Sequence, residues 1–238
     1  MTDDQPIAVL VTCEHAGNNV PRTWAHLFRG QGAVLRTHRG YDIGALGVAR
    51  EMASRLRTTP IVHLTTRLLV EVNRSPDHPH LFSEFTRTLP EPDRRAIMDA
   101  HYTKHRTMIE RAIARLIARQ YRVLHAGIHS FTPVLGDEVR EVQIGLLFDP
   151  ARSFESNICH QWRDAIRRAD PSLDVRFNEP YKGVDDGLTT HLRTRFPDES
   201  YAGIEIEVRN DLIARGPSQR RFGALLASTI PSGHAASA

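Results

Sequence analysis

Short apolar runs of strand length alternate with longer stretches of helical period along this chain, and most of those runs end in polar, chemically capable side chains. Residues 7–12 read as a buried strand leading straight into Cys13-Glu14-His15. Residues 68–72 lead into Asn73-Arg74, 121–128 into His129-Ser130, and 201–208 carries Glu207 and runs on to Arg209 and Asp211. Further strands are expected at 61–64, 141–148 and 173–177. Helical period is expected over 42–56, with Ile43, Leu46, Val48 and Met52 inward, and over 92–119, with Ile97, Met108, Ile109, Ile113 and Ile117 on one face. Residues 153–169 read as a helix with a serine cap, and 215–229 as a closing helix. Parallel strands need crossover connections, and helices supply them, so the alternation implies a three-layer α/β/α fold around a mainly parallel, mixed sheet. In such a sheet ligands bind beyond the carboxyl ends of the strands, where the polar clusters sit.

Composition narrows the choice of function. The chain has 238 residues, 40% of them apolar and 25% charged, which is ordinary globular usage. Its length suits one α/β domain, 1–238, with a frayed tail over 231–238. The longest apolar runs, such as 144–148, fall far short of the roughly 20 residues that span a bilayer, so no membrane partner is expected. The opening Met-Thr-Asp-Asp-Gln-Pro lacks a cationic segment, which argues against a secretory signal. Two cysteines, Cys13 and Cys159, are too few for a disulfide framework, and a reducing cytoplasm is the expected compartment. The formal net charge is only +3 and the arginines are scattered among acids, so nucleic acid is not expected as a partner. Thirteen histidines stand out, because imidazole is the commonest metal ligand and general base.

Two of those histidines, His15 and His129, close separate strands more than a hundred residues apart. A catalytic zinc takes three protein ligands from His, Asp and Glu and keeps one position open, and Glu14, Asp42 and Glu71 are candidates for the third. The bland alternative is a pair of hydrogen-bonded histidines at a sheet edge. Alternation along 204–209 puts Glu205, Glu207 and Arg209 on one strand face. A carboxylate there is a natural general base, or else part of a solvated edge strand. Arg67, Asn73 and Arg74 bracket the run 68–72. An arginine fork reads a carboxylate, and a second arginine stabilises a developing oxyanion; surface ion pairing is the alternative.

Other signals are weaker. Asp42 could equally be a helix cap. His101, His105 and His125 read as packing or solvent-facing histidines, and Cys13, inside an apolar strand, as an inert thiol. Ser130 lacks the Gly-x-Ser-x-Gly elbow of serine hydrolases, and no phosphate-binding glycine loop is present.

Six segments, in order along nearly the whole chain, resemble the N-formylglutamate amidohydrolase family. They are 11–18 (Val-Thr-Cys-Glu-His-Ala-Gly-Asn), 38–45 (His-Arg-Gly-Tyr-Asp-Ile-Gly-Ala), 67–74 (Arg-Leu-Leu-Val-Glu-Val-Asn-Arg), 129–133, 178–181 and 206–212. The resemblance implies a fold similar to zinc carboxypeptidases (phosphorylase/hydrolase-like) and hydrolysis of an amide bond, with a small-molecule carboxylate as substrate. It implies one zinc ion per chain, a late glutamate that activates water, and an Asn-Arg pair that holds a substrate carboxylate. His15, His129, Glu207, Asn73 and Arg74 match those roles. The wider group carries His-x-x-Glu at the first ligand, where this chain has Asn18, so the resemblance leaves the third ligand open among Glu14, Asp42 and Glu71, with Asp42 the expected one. Arg67 is expected to face the oxyanion, and Ser130 and Arg209 to help hold substrate. A peptide or peptidoglycan carboxypeptidase would use the same residues, and a non-catalytic binding protein could share the scaffold.

Overall fold

The computed structural model describes residues 5–231, and all but the first residue of the tail expected over 231–238 lies outside them. Among the described residues eight strands form: β1 (Ile7–Cys13), β2 (Ile61–Val62), β3 (Arg122–Phe131), β4 (Val134–Leu135), β5 (Glu138–Val139), β6 (Ile144–Leu147), β7 (Val175–Phe177) and β8 (Tyr201–Arg209). Six make one sheet in the order β2-β1-β3-β8-β6-β7, while β4 and β5 form a separate hairpin. β2, β1, β3 and β8 run parallel, and β6 pairs antiparallel to β8, so the sheet is mixed and mostly parallel as expected. Helices α1 (Gly32–Leu35), α2 (Ala45–Arg55), α3 (Glu91–Ile97), α4 (Lys104–Ala118), α5 (Ser153–Ala169), α6 (Leu188–Arg195) and α7 (Gly216–Thr229) connect or cover it.

The parallel register explains how the two sheet faces differ. Val11, Leu124, Ala126, Ile128, Ile204, Ile206 and Val208 point to one face and join α2, α5 and α7 in the largest apolar cluster. The other face is divided along its length. At the amino ends Leu10, Val123 and Tyr201 pack with Ile109 and Ile113 of α4 and Leu188 and Leu192 of α6. Toward the carboxyl ends the same rows continue as His125, His129, Glu205 and Glu207, which are polar. β8 lies between β3 and β6, so the alternative of a solvated edge strand for Glu207 does not hold.

Several local expectations change. The run 68–72 is not a strand but a buried turn. Thr66 captures it locally: its Oγ1 accepts from Leu68 N–H (3.3 Å) and its carbonyl from Leu69 N–H (3.0 Å). Leu68, Leu69, Val70 and Val72 then bury themselves in a satellite cluster with Phe28, Leu81, Ile97 and Tyr102. The stretch 92–119 is helical but is interrupted by a wide π turn over Met98–Thr103, which steps the buried face by five residues from Ile97 to Tyr102. Met108 is therefore exposed, and Ile109 and Ile113 carry the packing. The shift lets Tyr102 Oη donate to Arg74 O (2.7 Å) and Arg106 Nη1 donate to Val72 O (3.1 Å), bracing the loop that bears Asn73 and Arg74. Ser153 does not cap α5. It is the first helical residue, and Asp198 accepts from the backbone N–H of Ser153 (2.7 Å) and Phe154 (3.2 Å).

Candidate active site

The two distant imidazoles meet. His15 follows β1, and His129 lies inside β3 rather than beyond its end, because the strand continues to Phe131. Their ring centroids are 5.2 Å apart. Between them is Asp42, whose Oδ2 is 3.3 Å from His15 Nδ1 and 3.0 Å from His129 Nδ1. Asp42 is not a cap: Gly44 holds the N-cap of α2 in a left-handed conformation (φ 87°). A side chain at Gly44 would also collide with Ile213 O at 2.4 Å, so glycine allows the tight approach that sets Asp42 beneath the sheet edge. Backbone bonds complete the placement: Asp42 N–H donates to His15 O (2.9 Å), and Ser130 N–H to Asp42 Oδ2 (3.3 Å).

Each imidazole also has a carboxylate on its far nitrogen. His15 Nε2 contacts Glu71, and His129 Nε2 lies 3.1 Å from Glu14 Oε2. The three residues weighed as third ligand thus separate by geometry. Asp42 sits where both Nδ1 atoms point, whereas Glu71 and Glu14 hold the rings from behind. Glu71 in turn accepts from Asn73 N–H (3.0 Å) and Arg67 Nε (2.7 Å), and Arg67 Nη1 reaches Asp42 Oδ1 (3.2 Å). His105 from α4 faces Glu14 Oε1 at 3.8 Å, a buried neighbour with no counterpart in the periodicity of the helix.

The cluster is short of positive charge. Glu14, Asp42, Glu71 and Glu207 are all buried. Burial raises the Asp42 and Glu14 carboxyls, but the adjoining histidines outweigh it and hold both well below the usual carboxylate range. Burial opposes the charged form of His129, but hydrogen bonds to Asp42 and Glu14 prevail and its proton is held well above the ordinary imidazole range. Glu207, beside His129 across the β3–β8 register, is pushed up to about 8 by burial, with His129 opposing and Asp42 and Glu205 reinforcing. Glu207 Oε2 and Glu14 Oε1 are buried without a hydrogen-bond partner. A pocket that grips protons this strongly with imidazole and carboxylate donors suits a divalent cation. His15, Asp42 and His129 each offer one ligand atom, all within 4.8 Å of one another. Imidazole and carboxylate backed by outer carboxylates is the donor chemistry of zinc and similar ions.

This cluster floors a cavity of about 630 Å³. Asn73, Arg74, Arg67, Ser130, His38 and Glu205 line it together with Val134, Leu135 and the Tyr181–Asp186 loop. Asn73 Oδ1 accepts from Leu188 N–H (2.8 Å), and Arg74 Nη1 donates to Asp186 O (2.6 Å). Arg209 is not part of the wall. Phe131, its partner in register, ends β3, and the guanidinium turns away to Asp211 (2.9 Å) and the Glu141 carbonyl (3.0 Å). Cys13 is fully buried, and burial with Glu14 and Asp42 nearby pushes its thiol up, so it is no nucleophile. Asn18 donates to Leu35 O (2.9 Å) and is not among the residues that line the cavity.

Residues 7–214 match the model of the N-formylglutamate amidohydrolase family. The chain belongs to that family. It also superposes on the crystal structure of gene product Atu2144 from Agrobacterium tumefaciens, with a TM-score of 0.78 and 32% identity over 93% of this chain and 88% of that one. A metallo-carboxypeptidase from Burkholderia cenocepacia gives a TM-score of 0.41 at 10% identity, over 96% of this chain and 57% of that one. No functionally curated protein matches the chain. Membership of an amidohydrolase family means hydrolysis of an amide, and the cluster of His15, Asp42 and His129 is where its chemistry can be sought.

Proposed function

We propose that the protein is a metal-dependent amidohydrolase that cleaves the acyl–nitrogen bond of an N-acyl amino acid, releasing formate or another small acid and the free amino acid. N-formylglutamate, from which the family takes its name, is the reference substrate. The observation that carries the reading is the convergence of His15, His129 and Asp42, which offer one ligand atom each, all within 4.8 Å of one another, beside buried Glu207. A divalent cation held by those three, zinc by the donor set, would supply the positive charge that acidifies water and polarises the scissile carbonyl.

The chain's own residues do the rest. Glu207 takes a proton from the attacking water as its oxygen bonds to the acyl carbon. It then returns that proton to the amine nitrogen as the carbon–nitrogen bond breaks. Arg67, bonded to Asp42 and Glu71, holds the ligand carboxylate in place and turns its remaining surface to the developing oxyanion. Asn73, whose Oδ1 is occupied, has its NH₂ group for a substrate carboxylate, and the Arg74 fork beside it completes that grip. Ser130 contributes by fixing Asp42 through its backbone N–H.

The test is metal analysis coupled to turnover. The purified protein is expected to hold about one zinc per chain and to release formate from N-formylglutamate or another N-formyl amino acid. A chelator should abolish this release and added zinc restore it. Turnover that is indifferent to chelation would refute the reading.

A further inference from the structure

The second oxygen of Glu14 opens onto another group of imidazoles. His63 follows β2 and continues its parallel path beside β1: its N–H donates to Cys13 O (3.0 Å), and Ala16 N–H donates to His63 O (3.0 Å). His101, in the π turn, and His105, in the first turn of α4, are four residues apart along one helical stretch. Side chains at that spacing are neighbours on a helix surface. Both rings meet His63, with centroid separations of 6.0 Å for His101 and 5.2 Å for His105. Packing alone does not account for this group. His63 is buried, yet neither of its ring nitrogens has a hydrogen-bond partner. His105 Nε2 and Glu14 Oε1, also without one, face each other at 3.8 Å, beyond hydrogen-bond reach. Four orphaned polar atoms therefore lie together, where buried polar atoms are as a rule paired. His125 shows the ordinary arrangement, with both nitrogens occupied by hydroxyls.

The spacing suits coordination. Zinc binds imidazole nitrogen at about 2.0–2.1 Å, so two rings on one tetrahedral ion have centroids roughly 5 Å apart. His63 and His105 stand at that separation, as do His15 and His129 at the first site. Among the described residues only His15, Asp42 and His129 already bring three ligand atoms within 4.8 Å, so the His101 ring has to swing inward. It is free to do so: the residue is partly exposed, and its Nδ1 is held only by a long contact to Thr65 Oγ1 (3.5 Å). Burial, with His105 and His101 adding to it, pushes His63 down to about 3, which leaves it the uncharged imidazole that ligates a metal at neutral pH.

We infer that His63, His101 and His105 form a second site for a late first-row divalent cation such as zinc, with Glu14 Oε1 as the fourth donor. Three imidazoles and a carboxylate complete a tetrahedral shell and leave no position for substrate, the pattern of a structural ion. Its donors come from the end of β2, from the helical stretch that ends in α4 and from the residue after β1, and the other oxygen of Glu14 lies 3.1 Å from His129 Nε2. An ion here therefore ties the outer strand to the helix and fixes the carboxylate behind a first-site imidazole. The inference does not depend on amide hydrolysis.

Its test counts ions. Wild type, His101→Ala, His63→Gln, Asp42→Ala and the double variant Asp42→Ala/His101→Ala are dialysed to saturation against zinc, and zinc per chain is measured by atomic emission. His101 is partly exposed, so His101→Ala is expected to fold, and His63→Gln keeps a polar side chain of similar reach. Wild type should hold two ions per chain, and His101→Ala and His63→Gln one fewer each. The double variant should hold one fewer than Asp42→Ala alone. Either histidine variant holding as many ions as wild type overturns the proposal, and the orphaned atoms then face bound water only. A double variant with the same count as Asp42→Ala also overturns it, because the ion lost in His101→Ala would then be the first-site ion. If Asp42→Ala holds as many ions as wild type while both histidine variants hold one fewer, the metal reading of the first site fails and the second site stands.

Discussion

Two buried carboxylate clusters share this sheet and differ in how completely they are compensated. Glu155 of α5 has no exposed surface. Its oxygens accept from Arg193 Nε (3.0 and 3.2 Å), Gly203 N–H (3.1 Å) and Asp149 N–H (2.9 Å), with Arg152 Nε at 3.2 Å. Two arginines and two amides meet one carboxylate, and nothing is left for a ligand. At the carboxyl ends of the same strands, four buried carboxylates meet Arg67 and a few imidazoles, and Glu14 Oε1 and Glu207 Oε2 have no hydrogen-bond partner. A buried charge is costly unless paired, so a saturated cluster reads as scaffold and an undersaturated one facing a cavity reads as a site.

The contrast can be broken experimentally, and the largest effect should come at the site. Glu207→Gln is expected to lower kcat by about 10²–10⁴ with zinc content intact, the range associated with loss of a general base. Near-normal turnover in that variant would move the base elsewhere. At the scaffold cluster, Glu155→Gln leaves Arg193 and Arg152 facing each other without their anion. Urea unfolding should report a loss of about 3–5 kcal/mol, while the folded fraction retains its KM. A variant as stable as wild type would erase the distinction drawn here.

A third test uses His125, four residues from His129 on the same strand face. Thr12 Oγ1 (2.8 Å) and Tyr201 Oη (2.9 Å) occupy its two nitrogens, and burial pushes it down to about 4. The unfolded chain takes up this proton below about pH 6.5 and the folded chain only near 4, so His125 makes stability fall as pH drops through that window. His125→Gln is expected to flatten that part of the pH–stability curve, by roughly 3 kcal/mol at most. An unchanged slope would mean that His125 is not held neutral. The smallest effects belong to the outer carboxylates. Glu14→Gln and Glu71→Gln should each weaken zinc binding by about 10–100-fold while leaving the apoprotein folded, as competition with a fluorescent chelator would show. No change in affinity would reduce those contacts to packing.

Much of this was legible along the chain, and the failures are instructive. The strand–helix alternation follows from apolar patterns that repeat every two or four residues, and the meeting of His15 with His129 from the convergence of strand ends at one edge of the sheet. The run 68–72 misled because a short apolar stretch is compatible with a strand or a buried turn, and the hydroxyl of Thr66 decides between them. Arg209 misled because alternation reports a strand face, and the last residue of a strand is free to turn aside. His105 carried no signal, since a buried histidine on a helix is indistinguishable in sequence from a packed one until Glu14 lies opposite.

By itself, then, the sequence determined the layers, the family and the pair of imidazoles, because apolar period and ordered motifs are local properties of the chain. The three-dimensional packing alone decided which of Glu14, Asp42 and Glu71 stands between those rings. Carboxylates are chemically alike wherever they occur. Only the left-handed Gly44 and the bonds from His15 and Ser130 to Asp42 bring one of them to the front and leave the other two behind.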